Sequence, residues 1–467
     1  MADRFDNVAL DNTGCARREA IRPLVLIGMC LAVLIAQIDT SVVNLSTNAI
    51  GNAFRAGVAP LQWVLDAYNL VYAILLLSGG LVADLYGRRL AFMIGTIVMA
   101  AGSLICAGAP NVGILIAGRA ITGMAASLLV PSSLAIIRVV WPEPAARGRA
   151  LGIWSSCNGL AFAIGPTLGG AMIEAFGWRS VFLLAVPLAS AALLLAKIAV
   201  PESANPQDRH LDVQGQVYGA LALGGIALAA IAAHHGGWLP IAGLSVAAIA
   251  LPLFLGAERR RGRTALVPLE LFRVRAFSGG IVTTAAMTFG IYSMIFLLPL
   301  VWQSEDHLTP HDAGLALLSV SLTFFVVSTQ SGGMAERLGA RAMITIGTGL
   351  IGGGSLLIAA TRAGVPMALA EIGLALAGVG MGLNTGPLYG VAVGSVGHER
   401  AGTASALINV ARMAGATLGV ALLGSVFALF HGGAAGFRMA LALGGIVQLG
   451  GAVVAFVCCE ASAKNNE

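Results

Sequence analysis

Ionisable side chains inside apolar segments are the residues of this sequence best placed to do chemistry. Each of five such residues lies within a long apolar run: Asp39, Asp66, Arg119, Glu371 and Arg412. An ionised group in apolar surroundings is costly unless it has a partner, so such groups usually serve a function or meet a specific counter-charge. A carboxyl group that can hold either a proton or a cation, but not both, can exchange one for the other. Asp39 and Asp66 are the strongest candidates for that exchange.

The chain around these residues has the composition of a membrane protein. It has 467 residues, of which 57% are hydrophobic and 10% charged, and its mean hydropathy is +0.87. Long segments such as 213–257 and 276–304 contain no Asp, Glu, Lys or Arg. A spanning helix needs about 20 apolar residues, and backbone groups in lipid must bond within their own segment. The sequence therefore predicts an all-α integral membrane protein.

Polar or Pro/Gly breaks divide the apolar runs into fourteen predicted transmembrane helices. Their predicted bounds are 22–46, 60–82, 89–109, 112–140, 147–174, 179–200, 213–234, 239–257, 276–302, 311–334, 341–361, 364–389, 401–430 and 436–459.

The distribution of positive charge predicts which side each loop occupies. With the N-terminus inside, 21 of the 27 Lys and Arg residues fall on the cytoplasmic side, 4 fall outside and 2 lie within helices. Cytoplasmic loops of membrane proteins are enriched in Lys and Arg. The count therefore predicts an even number of helices, both termini in the cytoplasm, and location in the cell (inner) plasma membrane.

Four of the five buried charges are predicted to lie at one depth. At 1.5 Å per helical residue, Asp66 lies roughly 9 Å below the outer end of its helix, and Arg119 and Glu371 roughly 12 Å. Asp39 reaches a similar level on its rising helix, while Arg412 lies nearer the middle. We predict that Asp39, Asp66, Arg119 and Glu371 form the proton-coupling or substrate-binding group. The structural alternative for each aspartate is a buried salt bridge to an arginine.

Polar and aromatic neighbours suggest a wall for a substrate cavity. Asn44 extends the polar face of the helix that carries Asp39. Tyr68 and Tyr72 are spaced i and i+4 on the next helix, so they share a face that could hold an organic cation. Arg412 is interpreted mainly as a structural residue at a bundle interface.

A charged loop near the second helix is repeated in the second half of the chain. Gly80, Asp84, Gly87 and Arg89 align with Gly332, Glu336, Gly339 and Arg341 at a constant offset of 252 residues. The repeat predicts two related helix bundles with a substrate site between them. It also suggests a matched pair of latches across the two halves. Asp84 lies at the C-terminus of a helix, where a negative charge is unfavourable by itself, so it requires a cationic or helix-N-terminal partner.

Several motifs resemble those of the major facilitator superfamily, in particular its fourteen-helix drug:proton antiporter branch. The loop Gly80-x-x-x-Asp84-x-x-Gly87-Arg88-Arg89 is similar to the superfamily's signature loop, and Gly165-Pro166-x-x-Gly169-Gly170 resembles its antiporter motif. Arg119-x-x-x-Gly123 resembles a second motif of the superfamily. Similarity to the branch rests on Asp39-Thr40-x-Val42-Val43-Asn44, "QWVLDAYNL" at 62–70 and Arg412 in "NVARMAGATLGVAL".

This resemblance implies a major-facilitator fold with two six-helix bundles and two additional central helices. The implied parts are a cytoplasmic tail at 1–21, a bundle at 22–200, a linker with two helices and a basic loop at 201–275, a second bundle at 276–459 and a tail at 460–467. The resemblance also implies that Arg119 tunes the proton on a helix-1 carboxylate. It gives the signature loop, its repeat, the Gly165–Gly170 segment and Arg412 a conformational role.

The predicted function is proton-coupled export of organic, cationic or amphipathic, compounds by alternating access. An enzyme is not expected, because the chain lacks a nucleotide-binding G-x-x-x-x-G-K-[ST] loop and a hydrolytic motif. No cofactor, metal, nucleotide or nucleic-acid partner is expected; the partners are a small molecule, protons and the lipid bilayer, and the functional unit is a monomer. The alternatives are export of an endogenous metabolite or antibiotic, uptake by symport, and a sensor built on a transporter scaffold.

Overall fold

The computed structural model describes the backbone of residues 2–204, 212–233, 237–262, 265, 267–305, 307–360, 367–396 and 400–459. Side chains are described from Ile21 onward, with a few exceptions that include Glu336. The predicted C-terminal tail 460–467, part of the predicted linker and the side chain of Glu336 therefore lie outside the described residues.

The described part of the chain forms helices and no strands. In chain order they are α1 Ala2–Phe54, α2 Val58–Tyr86, α3 Arg88–Ala107, α4 Val112–Val140, α5 Pro144–Phe176, α6 Ser180–Leu183, α7 Ala185–Ala199, α8 Val213–Ala232, α9 Trp238–Arg261, α10 Arg275–Ser304, α11 Pro310–Ala316, α12 Leu318–Leu338, α13 Ala340–Ala359, α14 Met367–Gly394, α15 Ala401–Leu429 and α16 Ala434–Cys458. A 3-10 segment, Leu269–Arg273, precedes α10.

The number of spans agrees with the prediction from the sequence. Thirteen helices of the described residues are long and apolar enough to cross a membrane, and the bent α5 makes a fourteenth. Its two parts, Ala146–Ala161 and Ile164–Phe176, meet at 42°. Pro166 has no N–H to donate to the carbonyl oxygen four residues earlier, so α5 bends in the turn before this proline. The all-α membrane fold is confirmed.

Some helix bounds differ from the predicted ones. Helix α1 begins at Ala2 and ends at Phe54, whereas hydropathy predicted 22–46. Hydropathy predicts only the apolar part of a helix, whereas the backbone hydrogen bonds of α1 continue beyond both ends of that part. The sixth predicted helix is divided at Leu184 into α6 and α7, and Pro187 lies in the first turn of α7, where its missing N–H is tolerated. The tenth is divided at Leu317, for which the local sequence gives no reason.

The helices pack as two halves with the same pattern. In the first half α1 packs on α4, α5 and α7, and α4 packs on α2 and α3. In the second half α10 packs on α14, α15 and α16, and α14 packs on α12 and α13. The halves meet along α2–α15, α5–α11 and α12, and α1–α10. We call the ends joined by arginine-rich loops the basic side and the other ends the opposite side.

The two additional helices, α8 and α9, form a hairpin outside this arrangement. Helix α8 packs on both α2 and α15, whereas α9 packs mainly on α8. Near the opposite side the Ser425 hydroxyl donates to the carbonyl oxygen of Ala230 at 2.6 Å, and near the basic side Gln216 donates to that of Ile74. The α8–α9 hairpin therefore lies across the seam between α2 and α15.

Substitution of Gly225 should separate the α8–α9 hairpin. A Cβ there would lie 2.7 Å from the carbonyl oxygen of Gly243, and a Cβ on Gly243 would lie 2.6 Å from that of Gly225. Overpacking of this kind costs about 1–3 kcal/mol. Gly225→Leu is therefore expected to lower the melting temperature of the detergent-solubilised protein. Gly224→Leu is the matched control, because a Cβ at Gly224 meets nothing within 4 Å; equal melting temperatures for the two variants would contradict the prediction.

Candidate functional site

Asp39 and Arg119 form a buried ion pair inside the first half. Helix α1 carries Asp39 and α4 carries Arg119, and their side chains are only 2% and 1% exposed. Arg119 donates through NH1 to the Asp39 carboxylate and through Nε to the carbonyl oxygen of Val64 at 3.0 Å. Its guanidinium carbon lies 4.6 Å from the centre of the Tyr68 ring. Three helices therefore hold this arginine in place, and in this state Asp39 has a full counter-charge.

Asp66 has no such partner. Its side chain is fully buried, and neither carboxylate oxygen has a hydrogen-bond partner among the described residues. One turn earlier on α2, Gln62 donates to the carbonyl oxygens of Val420 and Ala421 at 2.8 and 2.9 Å. Residues four apart share a helix face, so Asp66 lies at the seam where α2 meets α15. An ionised carboxylate without a partner is costly in such surroundings, which favours the protonated form.

The α2–α15 seam carries other polar atoms that lack partners. The side-chain oxygens of Asn69 on α2 and Thr417 on α15 are buried without a hydrogen bond in the described structure. Helices α2 and α15 run in opposite directions, so Thr417, one turn before Ala421, lies at the level of Asp66. A buried polar seam between the halves can change its hydrogen bonds when the halves move.

Glu371 and Arg412 do not join the Asp39–Arg119 pair. Glu371 is exposed, in the second turn of α14, and α14 packs on α10, α12, α13 and α15. Residues 361–366 lie outside the described part of the chain, and Glu371 lies about 6 Å along α14 from Met367, the first residue described for this helix. The structure therefore does not bring Glu371 to the predicted group. Arg412 is half-buried on α15.

The predicted cavity-wall residues are mostly internal to the first half. Asn44 donates to the carbonyl oxygen of Thr40 on its own helix at 2.9 Å. The Tyr68 hydroxyl donates to the carbonyl oxygen of Ala36 at 3.0 Å. The rings of Tyr68 and Tyr72 are tilted, with centroids 6.0 Å apart, and both residues are less than 5% exposed. Tyr68 therefore supports Arg119 and does not line an open cavity.

The two halves are in close contact on the opposite side. Gln303 on α10 donates to the carbonyl oxygen of Leu45 on α1 at 3.1 Å. A Cβ on Gly170 of α5 would lie 2.5 Å from the carbonyl oxygen of Pro310 on α11. A Cβ on Gly314 of α11 would collide with the carbonyl oxygen of Pro166 on α5. The backbones of α5 and α11 therefore touch directly, and this state is closed on the opposite side.

The remaining glycines of the predicted antiporter motif pack within the first half. A Cβ on Gly169 would lie 2.5 Å from Cγ1 of Val42, and one on Gly165 would overlap Ser41. The Gly165–Gly170 segment thus gives α5 close contact with α1 on one face and α11 on another. These contacts are between helices, and the conformational role of the segment stays a prediction.

The signature loop makes all its described contacts within its own half. Asp84 pairs with Arg88 at 2.8 Å, which supplies the cationic partner that its position requires. The Glu202 carboxylate accepts hydrogen bonds from the backbone N–H groups of Arg89 and Leu90, both at 3.1 Å. A carboxylate at a helix N-terminus is favourable. The described contacts of this loop therefore include a latch onto the segment that follows α7.

The repeated loop has the same backbone geometry. Gly87 and Gly339 each join two helices with positive φ angles, 116° and 84°, a conformation that favours glycine. Arg89 donates to the carbonyl oxygen of Lys197 at 2.9 Å, and Arg341 lies 4.3 Å from the ring centre of Phe456. Each arginine thus contacts the last helix of its own bundle. A Cβ on Gly80 would lie 3.4 Å from Cβ of Pro131, so Gly80 is not closely packed.

Sequence reasoning missed Gln62, Gly314 and Glu202. Gln62 and Gly314 are separated by the same 252-residue offset as the repeated loops, and each contacts the other half of the molecule. The 252-residue offset could therefore have identified both residues from the sequence. No pattern in the sequence connects Glu202 with the start of α3.

Known proteins resemble this chain along most of its length. The family model described as Major Facilitator Superfamily matches residues 29–420. Multidrug resistance protein Stp of Mycobacterium tuberculosis (strain CDC 1551 / Oshkosh) is 34% identical over 408 residues, 87% of this chain and 76% of that protein. Methylenomycin A resistance protein of Streptomyces coelicolor (strain ATCC BAA-471 / A3(2) / M145) is 30% identical over 443 residues, 93% and 92% of the two chains.

Two further comparisons cover the same region. Multidrug efflux pump LfrA of Mycolicibacterium smegmatis (strain ATCC 700084 / mc(2)155) is 30% identical over 430 residues, 91% of this chain and 85% of that protein. A crystal structure of a POT family transporter in complex with a thioalcohol-conjugated peptide superposes with a TM-score of 0.70 at 14% identity, covering 94% of this chain and 96% of that one. At that identity the superposition shows the fold alone. From its motifs, its repeated halves and these matches, the chain belongs to the Major Facilitator Superfamily.

Proposed function

We propose that this membrane transporter exports amphipathic organic compounds, including antibiotics, in exchange for protons. Its relatives include proteins named for multidrug resistance, multidrug efflux and methylenomycin A resistance, which supports drug export. Proton coupling is supported chiefly by one observation: Asp66 is fully buried without a partner at the seam between the halves.

The proposed cycle uses the difference between the two aspartates. In the state closed on the opposite side, Arg119 neutralises Asp39, and the surroundings of Asp66 favour a proton on its carboxyl group. Opening the opposite side separates α2 from α15, which hydrates Asp66 and allows it to exchange its proton. The carboxyl group thus exchanges its proton with the opposite side in the open state, and antiport further requires that it release a proton toward the basic side before substrate binds there.

The other parts of the proposal follow from the predicted topology. The opposite side is the exterior, both termini lie in the cytoplasm, and the protein functions as a monomer in the inner plasma membrane. The proton gradient drives transport without a cofactor or nucleotide. The cationic nature of the substrate stays a prediction from the sequence. Export of an endogenous antibiotic is a second candidate, which the name "Probable actinorhodin transporter" of a relative 29% identical to this chain favours.

Everted vesicles with an imposed proton gradient test the proposal. They should accumulate compounds against which the protein protects a pump-deficient host, and accumulation should stop when an ionophore collapses the gradient. Addition of substrate should release protons from acidified vesicles, whereas a symporter would move protons in the other direction. Accumulation that continues undiminished after collapse would reject proton coupling.

A further inference from the structure

Arg412 lies near the middle of α15, and no acid among the described residues forms an ion pair with it. It is the twelfth residue of α15, roughly 17 Å from the basic end of that helix. The residue is half-buried, and its Nε has no hydrogen-bond partner in the described structure. Among the described residues its electrostatic neighbours are phenols: those of Tyr389, Tyr292, Tyr72 and Tyr68.

These phenols come from both halves of the protein. Tyr72 belongs to α2, Tyr292 to α10 and Tyr389 to α14. The Tyr389 hydroxyl donates to Oδ1 of Asn409 at 2.6 Å, and Asn409 lies one turn before Arg412 on α15. Tyr72 is almost fully buried, whereas Tyr292, Tyr389, Asn409 and Arg412 are all half-buried. Polar groups within spanning helices usually face the interior of the bundle or a water-filled cavity, so these groups are placed to line a space between the halves.

The acids of the spanning helices leave this positive charge uncompensated. Asp39 is paired with Arg119, and Asp66 is fully buried. Glu371 is exposed and lies roughly 27 Å along α14 from Tyr389, a neighbour of Arg412. An uncompensated cation in a membrane is costly, so an anion brought by the substrate would be stabilised there. The guanidinium fork suits a carboxylate, with which it can form two parallel hydrogen bonds.

We propose that Arg412 binds the carboxylate of the exported compound in a cavity between the halves that Tyr292 and Tyr389 line. The substrate class of this transporter is therefore an amphipathic organic acid with an apolar or aromatic body, and not an organic cation. This inference rests on the proposed export function and specifies the chemistry of its substrate. The phenol rings pack against the apolar body, and the arginine orients the acidic end.

Three dansyl compounds with one fluorophore test the charge preference. At neutral pH dansylglycine is an anion, its methyl ester is neutral and dansylcadaverine is a cation. Binding to the purified transporter in nanodiscs is measured by the rise of dansyl fluorescence. Wild type is expected to bind dansylglycine roughly ten- to a hundredfold more tightly than the ester, as expected for one hydrogen-bonded ion pair. It should bind dansylcadaverine most weakly.

Arg412→Gln is expected to bring dansylglycine down to the affinity of the ester and to leave the affinity of the ester unchanged. Arg412→Lys keeps the charge and should retain part of the preference, which also shows that the cavity still folds. The control is Arg179→Gln, because Arg179 lies at the opposite side against the ring of Trp178.

Three results would overturn the inference: wild type that does not prefer dansylglycine or does not bind it, tighter binding of dansylcadaverine, or an equal loss for all three probes in Arg412→Gln. Proton coupling is tested separately. Gradient-driven export of a cation would overturn the substrate class and leave the proposed antiport unaffected.

Discussion

Asp66→Asn is expected to abolish proton-driven accumulation of substrate while the protein remains folded. Asparagine has nearly the shape of a protonated aspartate, so the buried α2–α15 seam should tolerate it, but it cannot release or accept a proton. With one proton per substrate, a gradient of one pH unit supplies about 1.4 kcal/mol and sustains about a tenfold concentration ratio. Wild-type vesicles should reach that ratio, and the variant should stop at equal concentrations.

Exchange of labelled for unlabelled substrate separates coupling from binding. Exchange requires the bundles to rock but no net proton movement, so Asp66→Asn should retain it. Glu371→Gln is the matched control, since Glu371 is also an acid on a predicted spanning helix but is exposed. A variant at Asp66 that still accumulates substrate tenfold, or a loss of coupling in Glu371→Gln, would show that the proton is carried elsewhere.

The sequence predicts the helices well, because apolar runs are a local pattern. Runs without charge identify the spans, and the rise per residue places Asp39, Asp66 and Arg119 within the helices. The sequence does not predict which of these charged side chains pair with each other. Whether Arg119 meets Asp39 or Asp66 depends on the rotation of α1, α2 and α4 about their axes, which the packing of the whole bundle determines.

Other features could not be predicted because their determinants are distant in sequence or too common. The chain has 61 glycines, and the sequence does not distinguish Gly314, which meets α5, from Gly332, which meets nothing within 4 Å. Glu371 is exposed, and the face of a helix that points into the bundle depends on packing between distant segments. Arg412 was identified as a membrane charge, but its ring of phenols is assembled from three other helices.

Gly314→Leu is expected to abolish export by preventing closure of the opposite side. Gly314 on α11 faces the carbonyl oxygen of Pro166 on α5, at a distance that leaves no room for a Cβ. Gly170 makes the reciprocal approach to Pro310. Alternating access requires this contact between the halves to form and break in each cycle, and a leucine side chain would keep α5 and α11 apart. Each bundle keeps its own packing, so the variant should still fold.

Thiol labelling from outside measures the state of this contact. Gln303 bridges α10 to α1 beside the contact and is 8% exposed, so a cysteine there (Gln303→Cys) should react slowly with a membrane-impermeant maleimide. The Gly314→Leu substitution should make the same cysteine react rapidly, whereas Gly353→Leu on α13, where a Cβ meets nothing within 4 Å, should leave both labelling and export unchanged. Normal export by Gly314→Leu would mean that α5 and α11 do not need to touch during transport. Loss of export without faster labelling would place the defect away from the closed opposite side.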